Sequence, residues 1–121
     1  MVTISKNQIK KIIEKGGATF CKNGKLAKFK TGYQVSTCDA FKIKITNINK
    51  IFEKINQMFE KLQAGEFVGC WIENGLFYLD ISKKFDSELF ALTVGLINRQ
   101  LSVYDWKNDI CIDVKKYFNI A

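Results

Sequence analysis

The chain has 121 residues, of which 47% are hydrophobic and 13% aromatic, and its formal net charge is +7. Its length fits one domain, and its apolar content excludes a disordered chain because enough surface can be buried to offset the entropy of folding. No apolar run approaches the roughly 18 residues of a membrane-spanning helix, and the first residues lack a signal peptide's apolar block. We therefore expect a single domain over residues 1–121 that stays in the cytoplasm and makes no membrane contact.

Positive charge is concentrated in the first half of the sequence. Residues 1–62 carry thirteen lysines against four acids, a net charge of +9, whereas residues 63–121 carry six basic residues against eight acids, a net charge of −2. All the basic residues except Arg99 are lysines, which suit diffuse attraction to phosphates or acidic surfaces better than bidentate recognition of bases. Lysine-rich codon usage in an AT-rich genome would account for the same bias without any function.

The N-terminal segment predicts a helix followed by a hairpin. Ser5 is suited to cap a helix over residues 6–15, where isoleucines recur at helical spacing, and the glycines at 16–17 favour a left-handed end. The Asn-Gly pair at 23–24 separates two short extended runs within residues 18–30 and is typical of a hairpin turn.

Two further strands and the longest helix are predicted next. Residues 32–36 and 41–45 have strand character, and the second run alternates so that its hydrophobic residues face inward and its lysines outward. The inward residues are Phe41, Ile43 and Ile45, and the outward residues are Lys42 and Lys44. Thr46 is a candidate cap for a helix over residues 47–63, whose apolar stripe we expect in the core.

The second half predicts two more hairpins around a third helix. Strands over residues 67–73 and 76–82 flank an Asn-Gly pair at 74–75, the strongest hairpin signal in the chain. A helix over residues 87–99, capped by Asp86 or Ser87, precedes strands over residues 101–106 and 110–114. Five of its hydrophobic residues are available for packing: Leu89, Phe90, Val94, Leu96 and Ile97. This order predicts an α+β fold, with a mainly antiparallel sheet built from hairpins and packed against about three helices.

The residue types that usually carry catalysis or metal binding are sparse. The sequence has no histidine, and its four cysteines, at positions 21, 38, 70 and 111, lack CxxC spacing. We expect buried free thiols, with a disulfide pair or a metal site as less favoured alternatives. Asp80 interrupts an apolar strand and could pair with Asp105, although a strand-end position, bonded to the backbone or to Arg99, is favoured. We therefore expect no enzyme, cofactor or metal, and an enzyme using these acids or a cysteine is the third hypothesis.

A set of lysines is the main candidate binding site. They interleave with aromatic residues in strands that we expect to adjoin, and such a surface could hold a nucleic-acid backbone or an acidic protein groove. A merely solvated sheet face would give the same pattern. The candidate residues are Lys22, Lys25, Lys28, Lys30, Lys42 and Lys44. Candidate aromatic anchors for a partner are Tyr33, Trp71 and Trp106.

Two groups of short motifs resemble a known class of proteins. The first group is GGATF at residues 16–20 followed by GYQVS at 32–36; the second is YLDIS at 78–82 followed by NRQ at 98–100 and VYD at 103–105. Together they resemble small uncharacterised accessory proteins encoded by phages and plasmids of Gram-positive bacteria. This resemblance implies either a modest regulator or an inhibitor of host defence, such as an anti-CRISPR protein, which acts by occupying the surface of a nucleoprotein effector.

The leading hypothesis is therefore a non-enzymatic phage or mobile-element protein that inhibits a bacterial defence complex of the CRISPR type by direct binding. Its partner would be a host defence protein or nucleoprotein complex. The alternative is a nucleic-acid-binding accessory protein that uses the lysine-rich sheet face. The two differ in their response to salt, because phosphate binding weakens steeply as salt rises and a packed protein interface weakens much less.

Overall fold

The computed structural model describes residues 3–120, which form seven β-strands and four helices. The strands are β1 (Gly17–Phe20), β2 (Tyr33–Ser36), β3 (Phe41–Lys44), β4 (Glu66–Glu73), β5 (Leu76–Phe85), β6 (Ser102–Asp105) and β7 (Ile110–Asp113). The helices are α1 (Lys6–Lys15), α2 (Ile48–Lys61), α3 (Glu88–Ile97) and α4 (Val114–Tyr117). The strands pair in an antiparallel manner, so the predicted α+β class with a mainly antiparallel sheet is confirmed.

The chain forms two compact units, each with its own hydrophobic core. The first unit consists of residues 3–27 and 40–81, and the second of residues 28–39 and 82–120. β5 contributes its first six residues to the first unit and its last four to the second. The single domain expected over residues 1–121 remains a prediction.

In the first unit the strands are ordered β1-β4-β5-β3, and a two-residue turn joins β4 to β5. Asn74 and Gly75 both have positive φ, 51° and 75°. That conformation gives a hairpin turn whose twist matches the twist of the strands, and Asn-Gly adopts it readily. The predicted hairpin is confirmed, and β4 and β5 each have neighbours on both sides, as their largely apolar sequences suggest.

Helix α1 begins and ends as the sequence predicts. The Ser5 hydroxyl accepts a hydrogen bond from the Gln8 N–H at 3.1 Å, and the Gln8 side chain accepts one from the Ser5 N–H at 2.8 Å. This capping box satisfies N–H groups that have no partner inside the helix. Gly16 ends the helix with a φ of 92°, and its N–H donates to the Ile12 carbonyl.

Helix α2 covers the sheet of the first unit. Its buried residues are Ile51, Ile55, Met58 and Phe59, and the strand residues in the same core are Phe20, Ile43, Val68, Cys70, Phe77 and Leu79. The Asn47 side chain accepts a hydrogen bond from the Lys50 N–H at 3.2 Å and caps the helix. The predicted cap, Thr46, is therefore one residue too early.

Two local predictions for the first unit are met only in part. Phe41, expected to face inward with Ile43, does lie on the same face, paired with the buried Leu79, but it is 44% exposed because β3 pairs only with β5 among the described strands and Phe41 lies at its first position. Its ring instead lies below the Lys54 ammonium group, 4.1 Å from the nitrogen. A turn does form over residues 21–24, closed by the Gly24 N–H donating to the Cys21 carbonyl at 2.9 Å, and of the Asn-Gly pair only Gly24 has positive φ. The second arm makes a single bridge, between Phe20 and Leu26, in place of a strand.

In the second unit, β2 pairs with the end of β5 and with β6, and β6 pairs with β7. Helix α3 contacts β2 and β6, and its buried residues are Ala91, Leu92 and Gly95. A Cβ atom at Gly95 would lie 3.3 Å from side-chain carbons of Val103 and Val114, so the helix approaches the sheet closely there. The residues that pack around it are Val35, Val103 and Val114.

The C-terminal strand is shorter than predicted and a fourth helix follows it. Val114, expected in the last strand, begins α4, and the Asp113 side chain caps this helix by accepting a hydrogen bond from the Lys116 N–H at 2.9 Å. Asp is a favoured N-cap residue because its carboxylate satisfies a free N–H at the helix start. The prediction of about three helices missed this single turn.

We expect Ser5→Ala to lower the free energy of unfolding by about 1 kcal/mol, because it removes the capping hydrogen bond to Gln8. Urea denaturation followed by circular dichroism measures the change. Lys11→Ala, on the exposed side of the same helix, is the control and should change stability by less than about 0.5 kcal/mol. Equal stability of the Ser5→Ala variant and the native chain would contradict the capping role.

Candidate functional site

All six lysines of the candidate binding set are exposed. Lys42 and Lys44 lie on β3, on the face opposite the buried Ile43, as the alternation predicts. Lys22 and Lys25 lie in the turn that follows β1. Lys28 and Lys30 belong to the second unit, in the irregular segment before β2.

The strands that carry these lysines in the first unit do not adjoin, contrary to the expectation from sequence. β1 pairs with β4, and β3 pairs with β5, so β1 and β3 lie on opposite edges of this unit's sheet. Three strand spacings, about 14 Å, separate the two edges. Lys44 is paired with Leu76, beside the β4–β5 turn, whereas β1 runs away from that turn before it reaches Lys22. Lys42 and Lys44 therefore form a pair of their own.

Beside Lys42 lies an aromatic pair on the sheet face that points away from α1 and α2. The Trp71 and Tyr78 rings are stacked, with their centroids 4.9 Å apart and their planes 4° from parallel. Both rings are half-buried, and their strand neighbours Cys70 and Phe77 point into the core on the other face. Lys42 is paired with Tyr78 across the strands, and its ammonium nitrogen lies 5.8 Å from the Tyr78 ring centroid. We call Lys42, Lys44, Trp71 and Tyr78 the aromatic–lysine face.

Asp80 is buried on the same strand, with 2% of its surface exposed. It lies in the middle of β5, so the expectation of a strand-end position is wrong. A Cβ atom at Gly69 would lie 2.5 Å from the Asp80 Oδ1 atom. The absence of a side chain at Gly69 therefore makes the space that this carboxyl occupies.

Asp105 serves the turn between β6 and β7. Its Oδ1 atom accepts hydrogen bonds from the Lys107 and Asn108 N–H groups at 3.1 and 3.3 Å, and its Oδ2 atom accepts one from the Asn108 side chain at 2.8 Å. Asp80 belongs to the first unit and Asp105 to the second. These hydrogen bonds within the turn explain why Asp105 is buried, because they give its carboxylate a structural role.

Tyr33 and Trp106, two of the candidate anchors, are half-buried and hydrogen-bonded within the second unit. The Tyr33 hydroxyl donates to Glu88 at 3.3 Å, and partial burial followed by the Glu88 charge raises the pKa of Tyr33. The Trp106 indole N–H donates to the Gln34 side-chain oxygen at 3.0 Å, and Gln34 donates to the buried Ser82 hydroxyl at 2.7 Å. Both side chains contribute to the packing of this unit.

Arg99 contributes its backbone to the end of α3. It has a φ of 57°, its N–H donates to Leu96, and the Gln100 N–H donates to Gly95. These two bonds form a Schellman motif, in which the left-handed position is most often glycine. The side chain of Arg99 is exposed.

The four cysteines are free, and they differ in accessibility. Cys70 is buried, Cys21 and Cys38 are half-buried, and Cys111 is exposed. The expectation of buried thiols is therefore wrong for Cys111. Burial raises the pKa of the Cys70 thiol well above its usual value, and the nearby Asp80 charge adds a smaller increase. Within residues 3–120, no three acidic or cysteine side chains are grouped as metal ligands require.

Helix α3 carries a hydrophobic surface that the sequence analysis missed. Of the residues that the sequence makes available for packing, Leu89, Phe90, Leu96 and Ile97 are 57%, 55%, 40% and 74% exposed, whereas Val94 does pack on the core. The sheet contacts the side of α3 that carries Ala91 and Gly95, because small residues permit close approach. The signal in the sequence was that α3 is apolar on every side and so has no polar face to turn toward solvent.

In the part of the chain that the structure describes, no helix is both long and apolar enough to cross a membrane. Comparison of the chain with protein-family models, with curated proteins and with solved structures finds no match.

We expect Gly69→Ala to destabilise the protein by roughly 1–3 kcal/mol, because the new methyl group would overlap the Asp80 carboxyl. Urea denaturation measures the loss. The control is Glu73→Ala, an exposed position on the same strand, which should stay within about 0.5 kcal/mol of the native chain. An unchanged Gly69→Ala variant would show that Asp80 can move aside freely.

We expect an alkylating reagent to modify Cys111 first and Cys70 last in the native protein, since the thiolate is the reactive form and Cys70 is buried with a raised pKa. Peptide mapping by mass spectrometry after timed labelling gives the order. Cys111→Ser should remove the fastest phase and leave the others unchanged. Early labelling of Cys70 would contradict its burial in the hydrophobic core of the first unit.

Proposed function

We propose that this protein is a non-enzymatic phage or mobile-element protein that inhibits a bacterial defence complex of the CRISPR type by direct binding, in the cytoplasm of the bacterial host. The motif resemblance supplies the biological context. The observation that carries the binding mode is the aromatic–lysine face, where stacked Trp71 and Tyr78 rings lie beside exposed Lys42 and Lys44.

Such a face suits recognition of a negatively charged macromolecular surface. Trp and Tyr are enriched among residues that dominate binding energy, because they offer large rigid area together with a polar group. Lysines at the margin of the patch speed encounter with an acidic surface and exclude basic ones. The first unit has eleven lysines against six acids, a net charge of +5, so its overall field has the same sign.

The second candidate function is binding of single-stranded nucleic acid. Aromatic side chains on a sheet face stack with bases, and neighbouring cations attract the phosphates. The Lys42 ammonium group favours this candidate, since it lies over the Tyr78 ring and so places a cation beside the stacked Trp71–Tyr78 pair. On a CRISPR effector the same chemistry would compete for the guide or target strand.

The test is a plasmid-interference assay in a Gram-positive host that carries an active CRISPR system. Expression of the native chain should restore transformation by a targeted plasmid. Lys42→Glu/Lys44→Glu should lose this effect and bind the effector at least about tenfold more weakly, because two attractions become repulsions. Lys10→Glu/Lys11→Glu, with the same charge change on exposed positions of α1, is the matched control and should remain active.

A pull-down of the tagged protein separates the two candidates. Recovery of a stoichiometric effector after nuclease treatment, with weak dependence on salt, supports the inhibitor. Nucleic acid recovered before nuclease, nothing recovered after it, and a steep loss with salt would support the second candidate. Both candidates would be contradicted if the CRISPR system still excluded the targeted plasmid in the presence of the protein and the pull-down recovered neither an effector nor nucleic acid.

A further inference from the structure

The exposed apolar surface of the second unit has a regular arrangement on α3. Five residues form what we call the α3 stripe: Leu89, Phe90, Thr93, Leu96 and Ile97. With about 3.6 residues per turn, these positions fall on one side of the helix, opposite the buried Ala91 and Gly95. Thr93 lies at the middle of the stripe, both along the helix and across it.

We propose that the α3 stripe binds the α3 stripe of a second copy of this chain, with the two helices antiparallel. The hydrophobic residues are placed symmetrically about Thr93, since Leu89 and Ile97 lie four residues on either side and Phe90 and Leu96 lie three. A two-fold axis through Thr93 therefore sets Leu89 against Ile97 of the second copy, and Phe90 against Leu96. A self-complementary patch of this kind is what a two-fold dimer requires.

Thr93 is suited to the centre of such a contact. Its side chain is small, so it lets two helices approach closely where they cross. Its hydroxyl donates to the Leu89 carbonyl at 2.7 Å within the same helix. Burial of Thr93 against a second copy would thus leave no hydrogen-bonding group without a partner.

Charges at the two ends of the stripe select the antiparallel direction. Asp86 precedes α3 and its side chain is 95% exposed, and Arg99, the one arginine of the sequence, follows α3 and is also exposed. An antiparallel pair brings Asp86 of one copy near Arg99 of the other at both ends, whereas a parallel pair would bring like charges together. Asp86 has an ion pair with Lys84 at 3.4 Å, but such an exposed pair competes weakly.

Two short helices provide an interface at the small end of the range for specific complexes, and Leu101, 82% exposed beyond α3, extends it. We therefore expect a reversible equilibrium between monomer and dimer. The proposal is independent of the proposed function, which uses residues of the first unit.

Sedimentation equilibrium of the full chain over a wide concentration range is the test. The apparent mass should rise from 13.9 kDa toward twice that value. Ile97→Asp should weaken the dimer at least about tenfold, because association would bury an unpaired carboxylate. Leu26→Asp, a similarly exposed leucine of the first unit, is the control and should dimerise like the native chain.

Charge exchange tests the direction of the helices. Asp86→Arg and Arg99→Asp should each weaken the dimer, and the double variant should recover it, because opposite charges meet again.

A chain that stays monomeric at every concentration overturns the proposal, as does a dimer that tolerates Ile97→Asp. The proposal is also overturned if the native chain is monomeric and Ile97→Asp abolishes its binding to the CRISPR effector. In that case the α3 stripe binds the effector. Failure of the double variant to recover the dimer excludes the antiparallel arrangement.

Discussion

The register of β5 is the constraint on which the pairing in both units depends. The left-handed turn at Asn74 and Gly75 sets which β5 residues lie opposite β4, and β3 and β2 then pair with successive parts of the same strand. Because side chains alternate along a strand, a slip of one residue would move Phe77 and Leu79 out of the first core and Tyr78 into it. The aromatic–lysine face exists because this register holds.

The two units bury their hydrophobic residues in different ways. In the first, large side chains of α2 such as Ile51, Ile55 and Phe59 face the sheet, and charged residues occupy the exposed side. In the second, the small Ala91 and Gly95 lie against the sheet, so α3 lies close to it and its larger residues point to solvent. The total hydrophobic content is therefore a poor guide to how much of each helix is covered.

These arrangements give the protein two surfaces of opposite character. The aromatic–lysine face combines stacked rings with positive charge and suits an acidic or phosphate-bearing partner. The α3 stripe is apolar and nearly uncharged, and it suits a surface like itself. Dimerisation through the second unit would place two copies of the first unit in one assembly.

Sequence alone determined the features that arise from short-range physics. The Ser5 cap, the left-handed Gly16, the Asn74-Gly75 turn and the apolar stripe of α2 depend on neighbours within one or two turns, so local patterns predict them. Tertiary structure decided which side of α3 is buried, the exposure of Phe41, the mid-strand burial of Asp80 over Gly69, and the separation of Lys42 and Lys44 from Lys22 and Lys25. The reason is that strand order and helix approach bring together residues far apart in the chain, and spacing along the sequence carries no record of those contacts.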